Sequence, residues 1–498
     1  MIQQIFAETL TWKVLLYMII GVAGGICIGA LPGLTATMGV ALLLPLTFGM
    51  DASQGILMLL GIYCGAIYGG SISAILLHTP GTPASAATAI DGYKLAQRGE
   101  AGRALGASTL SSYIGGVVSV ICLWLISPQL AKIALKFSSA EFFLLAVFGL
   151  CIIGNISGGN IEKGLICGCF GVLVACVGID SVTGYPRFSF GKNVNFLAGI
   201  SYIPIMIGLF AMSQAFENIE EIFTEEKAQY EVTSILPKKE DMKRIFKIAP
   251  LTGLIGTFIG IVPGAGADIG SFVGYNVSQN LTKNDDGYKL GEGNIDGVIG
   301  PEGGNNGVTG GAMIPMLTLG VPGDAVTAIM IGALTLQGLA PGPMLFIQHK
   351  VLVYTIFLGM FIANTIMVLM GLSGIRVFTK VLSIPKVILT PIIFALCVIG
   401  SYAMRNNFFD VYTMLIAGVI GYFLTKIKVP TSPAILGLIL GPMAEKNFRV
   451  ALLKSDGNPA TFFSTGICWF FIALILISLF GSKLKDLLGK LFKKKNKS

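Results

Sequence analysis

Asp268, Glu302 and Asp324 are carboxylates set in or beside apolar sequence. An ionisable group at membrane depth is costly to bury and defaults to a functional candidate. Asp268 follows Val262-Pro263-Gly264-Ala265-Gly266, and Asp324 follows Val321-Pro322-Gly323. Glu302 lies in Gly300-Pro301-Glu302-Gly303-Gly304-Asn305-Asn306-Gly307, which reads as a polar stretch between membrane segments. The plain alternative for this stretch is a surface loop holding helix caps. Two more Pro-Gly sites, Leu31-Pro32-Gly33 and His78-Thr79-Pro80-Gly81-Thr82-Pro83, carry Thr35, Thr37, Thr79 and Thr82 in place of carboxylates.

Pro lacks a backbone N–H and clashes with the preceding turn, and Gly adopts angles that other residues avoid. Together they end a helix inside the apolar zone. The freed backbone groups cannot face lipid, so they are buried in protein or line a wet cavity. Half-helix N-termini then suit anions, and carbonyl ends suit cations. One such site reads as a Pro kink; four with Thr and Asp beside them read as a binding site. The candidate anion contacts are Pro32, Gly33, Thr35, Thr37, Thr79, Pro80, Gly81, Thr82, Pro263, Gly264, Asn306, Pro322 and Gly323. The candidate cation ligands are Asp268, Glu302, Asn305 and Asp324.

These groups need membrane helices to position them. The chain is 54% hydrophobic and 12% charged, against about 25% charged in soluble domains. Apolar runs recur end to end, Ile56–Leu77, Val351–Leu372 and Phe462–Phe480 among them. At about 20 residues per crossing they give roughly 12 to 14 membrane segments, some broken or re-entrant. The expected fold is an all-α polytopic membrane protein. The net charge of +8 is read as positive-inside bias, which excludes nucleic-acid binding because no basic domain stands outside the membrane. The same bias makes Lys483–Lys497, the stretch Glu217–Lys247 and the basic loop Asp91–Arg103 cytoplasmic. The N-terminal apolar run lacks a signal-peptide n-region and cleavage site and reads as a retained span. The nine Cys mostly lie in apolar runs and read as packing residues.

The breaks recur in order. Gly25–Gly33 resembles Gly256–Gly264, 231 residues on, and Gly61, Gly65, Gly69, Pro80 and Gly81 match Gly303, Gly307, Gly311, Pro322 and Gly323, 242 residues on. Phe148–Gly154 matches Phe394–Gly400, and Leu165–Gly168 matches Leu415–Gly418. Residues 1–216 form a first transmembrane repeat, 217–247 a cytoplasmic linker, 248–482 a second repeat and 483–498 a basic tail. About seven spans per half makes the repeats inverted, since an odd number reverses direction. Thr37 and Thr82 then stand where the second half has Asp268 and Asp324, which biases cation coordination to the second half.

No G-x-x-x-x-G-K-[ST] loop occurs, so an ATPase motor is excluded, and no H-E-x-x-H occurs. Gly264–Gly270 only approximates a dinucleotide fingerprint. An intramembrane enzyme is the weakest reading, and no cofactor is expected. His78 beside Thr79-Pro80-Gly81 reads equally as a titrating group or as a structural one.

Leu31-Pro32-Gly33, the run His78–Pro83 followed by Asp91-Gly92-Tyr93, and Pro301-Glu302-Gly303-Gly304-Asn305-Asn306 resemble the large membrane subunit of the tripartite tricarboxylate transporter family. The resemblance covers nearly the whole chain. It implies an ion-gradient-driven importer of organic anions in the bacterial inner membrane. It also implies two partners, a periplasmic substrate-binding protein and a small membrane subunit of about four spans. A stand-alone carboxylate carrier is the alternative. Importing a trianion against an inside-negative potential costs roughly 7 kcal/mol per 100 mV, so Na⁺ or H⁺ is expected as the coupling ion, and no metal beyond a transported Na⁺.

Overall fold

The computed structural model describes residues 1–156, 161–180, 182–191, 193–220, 237–282, 288–382 and 386–478. The described part of the linker therefore excludes 221–236, and the basic tail 483–498 lies outside the described residues. In chain order the helices begin with α1 (Ile2–Thr9), α2 (Trp12–Ala30), α3 (Ala36–Leu43), α4 (Ala52–Leu77), α5 (Ala86–Gln97) and α6 (Ala101–Ala134). Then come α7 (Ser139–Ile156), α8 (Ile161–Ala175), α9 (Val194–Leu197), α10 (Tyr202–Met206) and α11 (Ser213–Glu220). The rest are α12 (Lys239–Ile261), α13 (Gly266–Leu281), α14 (Asp296–Leu319), α15 (Ala325–Leu336), α16 (Leu345–Gln348), α17 (Lys350–Val381), α18 (Lys386–Arg405), α19 (Phe408–Lys426) and α20 (Ser432–Lys454). An apolar helix, α21, spans Gly466–Ser478. Among the described residues the sheet content is one antiparallel pair, Gly178–Ile179 with Pro186–Arg187.

Among the described residues seven helices, α2, α4, α6, α12, α17, α18 and α19, are long and apolar enough to cross a bilayer. Shorter apolar helices, α3 with its 3₁₀ extension, α7, α15 and α21, add the broken segments. The protein is an all-α, multi-pass membrane protein.

Packing divides the chain into two units, one holding 1–135 and 203–423, the other 136–202 and the chain from 424 on. Each sequence half contributes to both units. In the smaller unit α8 lies on α20, with Gly171 against Ala434 and Gly437 against Gly168. A polar cluster caps that pair. Arg187 Nη1 donates to Glu445 Oε1 at 2.7 Å, and Arg449 pairs with Asp180.

The larger unit is built on glycine-mediated contact. Lipid offers no hydrophobic drive between helices, so small residues that bring backbones together carry the packing. A Cβ on Gly61, Gly65 or Gly69 of α4 would run into the α2 backbone at Met18, Val22 and Ile26. A Cβ on Gly303, Gly307 or Gly311 of α14 would run into α12 at Ala249, Gly253 and Thr257. The two sets stand 242 and 231 residues apart along the sequence. In both pairs the helices run parallel.

The direction of the long helices follows from further contacts. Gly115 and Ser119 of α6 meet Gly303 and Gly310 of α14, so these two are parallel. Gly359 and Gly371 of α17 meet Leu57 and Tyr68 of α4, so these are parallel too. Gly116 meets Asn364 and Thr109 meets Gly371, so α6 and α17 are antiparallel. Hence α4 and α14 run in opposite directions.

Two expectations need correction. Gly300–Gly307 is not a stretch between membrane segments but lies within the first half of α14, buried throughout. Its glycines are consumed by close contact with α12, α13 and α6 rather than by turns. Asp91–Gln97 is not loop but the second half of α5; only Arg98–Glu100 connects it to α6. Asp91 itself is fully buried.

Candidate functional site

The four Pro-Gly sites at 32–33, 80–81, 263–264 and 322–323 all interrupt helices. The chain leaves α2 at Ala30, turns at Pro32 and Gly33 (φ +88°), and starts α3 behind Thr35, whose hydroxyl accepts from the Met38 N–H at 3.1 Å. It leaves α4 at Leu77, where His78 takes a left-handed conformation and its ring lies 4.7 Å from that of Tyr93. After Thr79, Pro80 and Gly81 a 3₁₀ turn at Pro83–Ser85 leads into α5. In the second half α12 ends at Ile261, Pro263 and Gly264 turn the chain, and α13 begins at Gly266. Finally α14 ends at Leu319, and Pro322 and Gly323 lead to Asp324, the N-cap of α15.

The breaks meet. The Gly264 N–H donates to the Gly323 carbonyl at 2.6 Å, which joins the two second-half breaks directly. Gly81 packs so closely on Gly29, one turn before Pro32, that a Cβ there would overlap the Gly29 carbonyl. Across the halves α3 packs on α15, and α13 packs on the 3₁₀ turn at 83–85 and on α5. Each helix that restarts after a break thus rests on a helix that restarts in the other half.

The predicted anion contacts differ in exposure. Gly81, Thr82, Pro263, Gly264, Asn306, Pro322 and Gly323 are buried; Pro32, Thr35, Thr37 and Pro80 are half-buried; Gly33 and Thr79 are exposed. Thr79 donates to the Leu77 carbonyl at 3.3 Å. Thr82 Oγ1, at the break, and Asn306 Oδ1, on α14, are two of fourteen buried side-chain polar atoms that lack a hydrogen-bond partner among the described residues.

The predicted cation ligands fall into two places. Asp324 Oδ1 accepts from the Thr327 N–H at 2.8 Å, and its Oδ2 accepts from the Tyr63 hydroxyl of α4 at 2.5 Å. Asp324 is therefore a helix cap that also ties the break to α4. Asp268 lies in the first turn of α13 and is exposed. Asn305 donates from Nδ2 to the Ala84 carbonyl at 3.2 Å, beside the break at Pro80-Gly81, and accepts from Asn306 at 2.6 Å.

Glu302 is completely buried. Its Oε1 accepts from Ser71 of α4 and Thr88 of α5, both at 2.5 Å, and its Oε2 accepts from Ser112 of α6 at 2.8 Å. Every one of these donors comes from the first half, so the expected bias of the cation site to the second half does not describe Glu302. Sequence reading missed Ser71, Thr88, Ser112 and Tyr63. A detectable signal was present in Ser108 and Ser112, hydroxyls four apart on one face of α6.

Asp91 was also missed as a site of structure. Its carboxylate accepts the N–H groups of Gly291, Gly293 and Asn294 at 2.7–2.9 Å and the Tyr275 hydroxyl at 2.8 Å. Lys94 donates to the Gly291 carbonyl at 2.5 Å, and Arg98 to that of Gly293. One face of α5 thus grips the strand of chain that leads into α14. The same end of the unit holds Arg103 on Asp241, and Arg244 on Asp296 at 2.7 Å.

Fold and site together define a multi-pass helical membrane protein whose interrupted helices converge inside the bundle, the architecture in which carriers hold small solutes. Residues 15–436 match the Tripartite tricarboxylate transporter TctA family, and the chain belongs to that family. The chain is thus a membrane component of tripartite tricarboxylate transport. It is 37% identical over 462 residues to an uncharacterized 52.8 kDa protein in the TAR-I ttuC' 3' region of Agrobacterium vitis, covering 93% of this chain and 91% of that protein. It is 36% identical over 235 residues to an uncharacterized protein in the TAR-II ttuC' 3' region of the same organism, covering 47% of this chain and 96% of that protein. No solved structure matches.

Proposed function

We propose that the chain is the large subunit of a binding-protein-dependent secondary transporter that imports tricarboxylates or related organic anions across the bacterial inner membrane. It works with a periplasmic substrate-binding protein and a small membrane subunit, and a Na⁺ or H⁺ gradient drives it. The chain moves its substrate and makes no covalent change to it. The observation that carries this reading is the meeting of four interrupted helices, joined within the second half by Gly264 and Gly323. The N-termini of α3, α5, α13 and α15 bring backbone N–H groups and a partial positive charge there, which suits carboxylates; Thr35 and Asp324 already cap one N–H each of α3 and α15. Thr82 Oγ1 and Asn306 Oδ1 are buried oxygens left for a ligand or its water. Asp268, Glu302, Asn305 and Asp324 are the candidate coupling residues.

Opposed directions in α4 and α14, and in α6 and α17, support two inverted repeats with the site between them. The end of the larger unit that gathers Lys94, Arg98, Arg103 and Arg244 is assigned to the cytoplasm. The test is uptake of labelled citrate and related acids by vesicles holding the chain and its small subunit. Each ion gradient is imposed separately, with and without the binding protein. Accumulation that requires a gradient and the binding protein is expected. Uptake indifferent to both gradients defeats this reading, and full uptake without the binding protein makes the chain a stand-alone carrier.

A further inference from the structure

We propose that Glu302 binds the coupling proton, with Ser71, Thr88 and Ser112 as its receptor; this rests on the gradient-driven import proposed above and names the ion and its site. The hydroxyls of α4, α5 and α6 converge on one fully buried carboxyl at 2.5, 2.5 and 2.8 Å. Among the described residues no Lys, Arg or His pairs with it. A carboxylate taken out of water with only neutral partners carries a desolvation penalty that the neutral acid does not.

The receptor suits a group that gains and loses a proton. A hydroxyl donates to a carboxylate, and after rotation it accepts from a carboxylic acid. Both forms of Glu302 therefore find hydrogen-bond partners among the same three hydroxyls. A metal cation is served less well. No group of three His, Cys, Asp or Glu side chains gathers among the described residues. The hydroxyl oxygens also stand only 2.5–2.8 Å from the carboxyl oxygens, at hydrogen-bond distance, whereas oxygens that share a bound cation need more room.

The surrounding charges are few. Tyr68 of α4 is the titratable neighbour, and its hydroxyl pairs with Thr109 of α6 at 2.8 Å. Asp91 of α5 lies one turn from Thr88 but is taken up by the chain at 291–294. From α12 and α13 the neighbours are Thr252 and Ser278, which lie against Gly303 and Gly300. Proton binding forms one O–H bond on Glu302 and discharges the carboxylate.

Glu302 is also wired to a break. Thr88 stands on α5, the helix that restarts after Pro80-Gly81, and Asn305, on the next turn of α14, reaches the Ala84 carbonyl. Loss of the proton puts a charge where the Thr88 hydroxyl holds α5 to α14. That links protonation to the position of a helix end that faces the proposed anion.

The experiment is infrared difference spectroscopy on the full-length chain in lipid, with protons and Na⁺ as the probes. The wild type is expected to show a neutral-carboxyl band that disappears as pH is stepped upward, and Glu302→Gln is expected to lack it. Thr88→Val and Ser112→Ala are expected to keep the band with a shifted frequency and at least a tenfold change in proton affinity. They also provide the result if Glu302→Gln does not fold. Added Na⁺ is expected to leave the band unchanged. The same band in Glu302→Gln, or no response to Thr88→Val and Ser112→Ala, overturns the assignment. Displacement of the band by Na⁺ overturns the choice of proton. If the spectra fail while uptake still follows a gradient, coupling lies elsewhere; if they succeed while uptake ignores gradients, the importer reading fails instead.

Discussion

Asp91→Ala should release the chain at 288–294 from α5. The carboxylate accepts three backbone N–H groups and the Tyr275 hydroxyl, all within 2.9 Å. Hydrogen bonds to a charged group contribute about 1.5–3 kcal/mol each, and orphaned donors add a similar desolvation penalty. These terms share one acceptor and do not add. Lys94 and Arg98 still hold the carbonyls of Gly291 and Gly293. We therefore expect local opening to become easier by about 3 kcal/mol, roughly a hundredfold. Hydrogen exchange of the amides of Gly291, Gly293 and Asn294 reads this directly, because each is bound to Asp91 and to nothing regular. Asp91→Asn keeps one acceptor oxygen but turns an NH₂ group toward donors, so its loss should be intermediate. Unchanged protection of all three amides in Asp91→Ala would refute the reasoning, since it would mean the backbone holds itself.

Gly65→Val and Gly307→Val should each lower thermal stability by at least 1–3 kcal/mol, because the new side chain meets the Val22 or Gly253 backbone and not a movable side chain. Gly466→Ala, with nothing within 4 Å of its Cβ, is the control and should be neutral within about 0.5 kcal/mol in the same melting assay. Arg103→Ala leaves Asp241, almost fully buried, without its partner and should destabilise the fold by about 3–5 kcal/mol, with Arg103→Lys recovering part of the loss. In the smaller unit, the Val182 N–H and the Arg449 guanidinium hold the Asp180 carboxyl well below the usual range. Its contribution is present above the unfolded value, about 3.9, and is lost as pH falls from there through the lowered folded value. Asp180→Asn should therefore melt earlier than wild type at neutral pH, with the gap closing in acid.

Much of the scaffold was legible because membrane crossing leaves a strong imprint. Long apolar runs gave α4, α17 and α21, and Pro with Gly marked the places where α2, α4, α12 and α14 stop. Spacing by four of Gly61, Gly65 and Gly69 carried the helix contact in advance, once glycine is taken as a packing residue. The same abundance of glycine misled at 300–307. Helix and loop are hard to separate where glycines serve tertiary contact, because their local preference points to turns. The polar surroundings of Glu302 were illegible for another reason. Ser71, Thr88 and Ser112 are single hydroxyls on three helices, and only the crossing of α4, α5 and α6 on α14 makes them a receptor. Asp91 was read as part of a basic loop because Lys94, Arg98 and Arg103 follow it. Its partners are backbone N–H groups two hundred residues away, which no side-chain pattern records.

The most direct test of a single anion site at the meeting of the four breaks is an experimental structure of the full chain bound to the acid that vesicle uptake identifies. The account predicts the acid's carboxylates at the N-termini of α3, α5, α13 and α15, within hydrogen-bond reach of Thr82 or Asn306. An acid bound in the smaller unit, or away from Pro32-Gly33, Pro80-Gly81, Pro263-Gly264 and Pro322-Gly323, would contradict it.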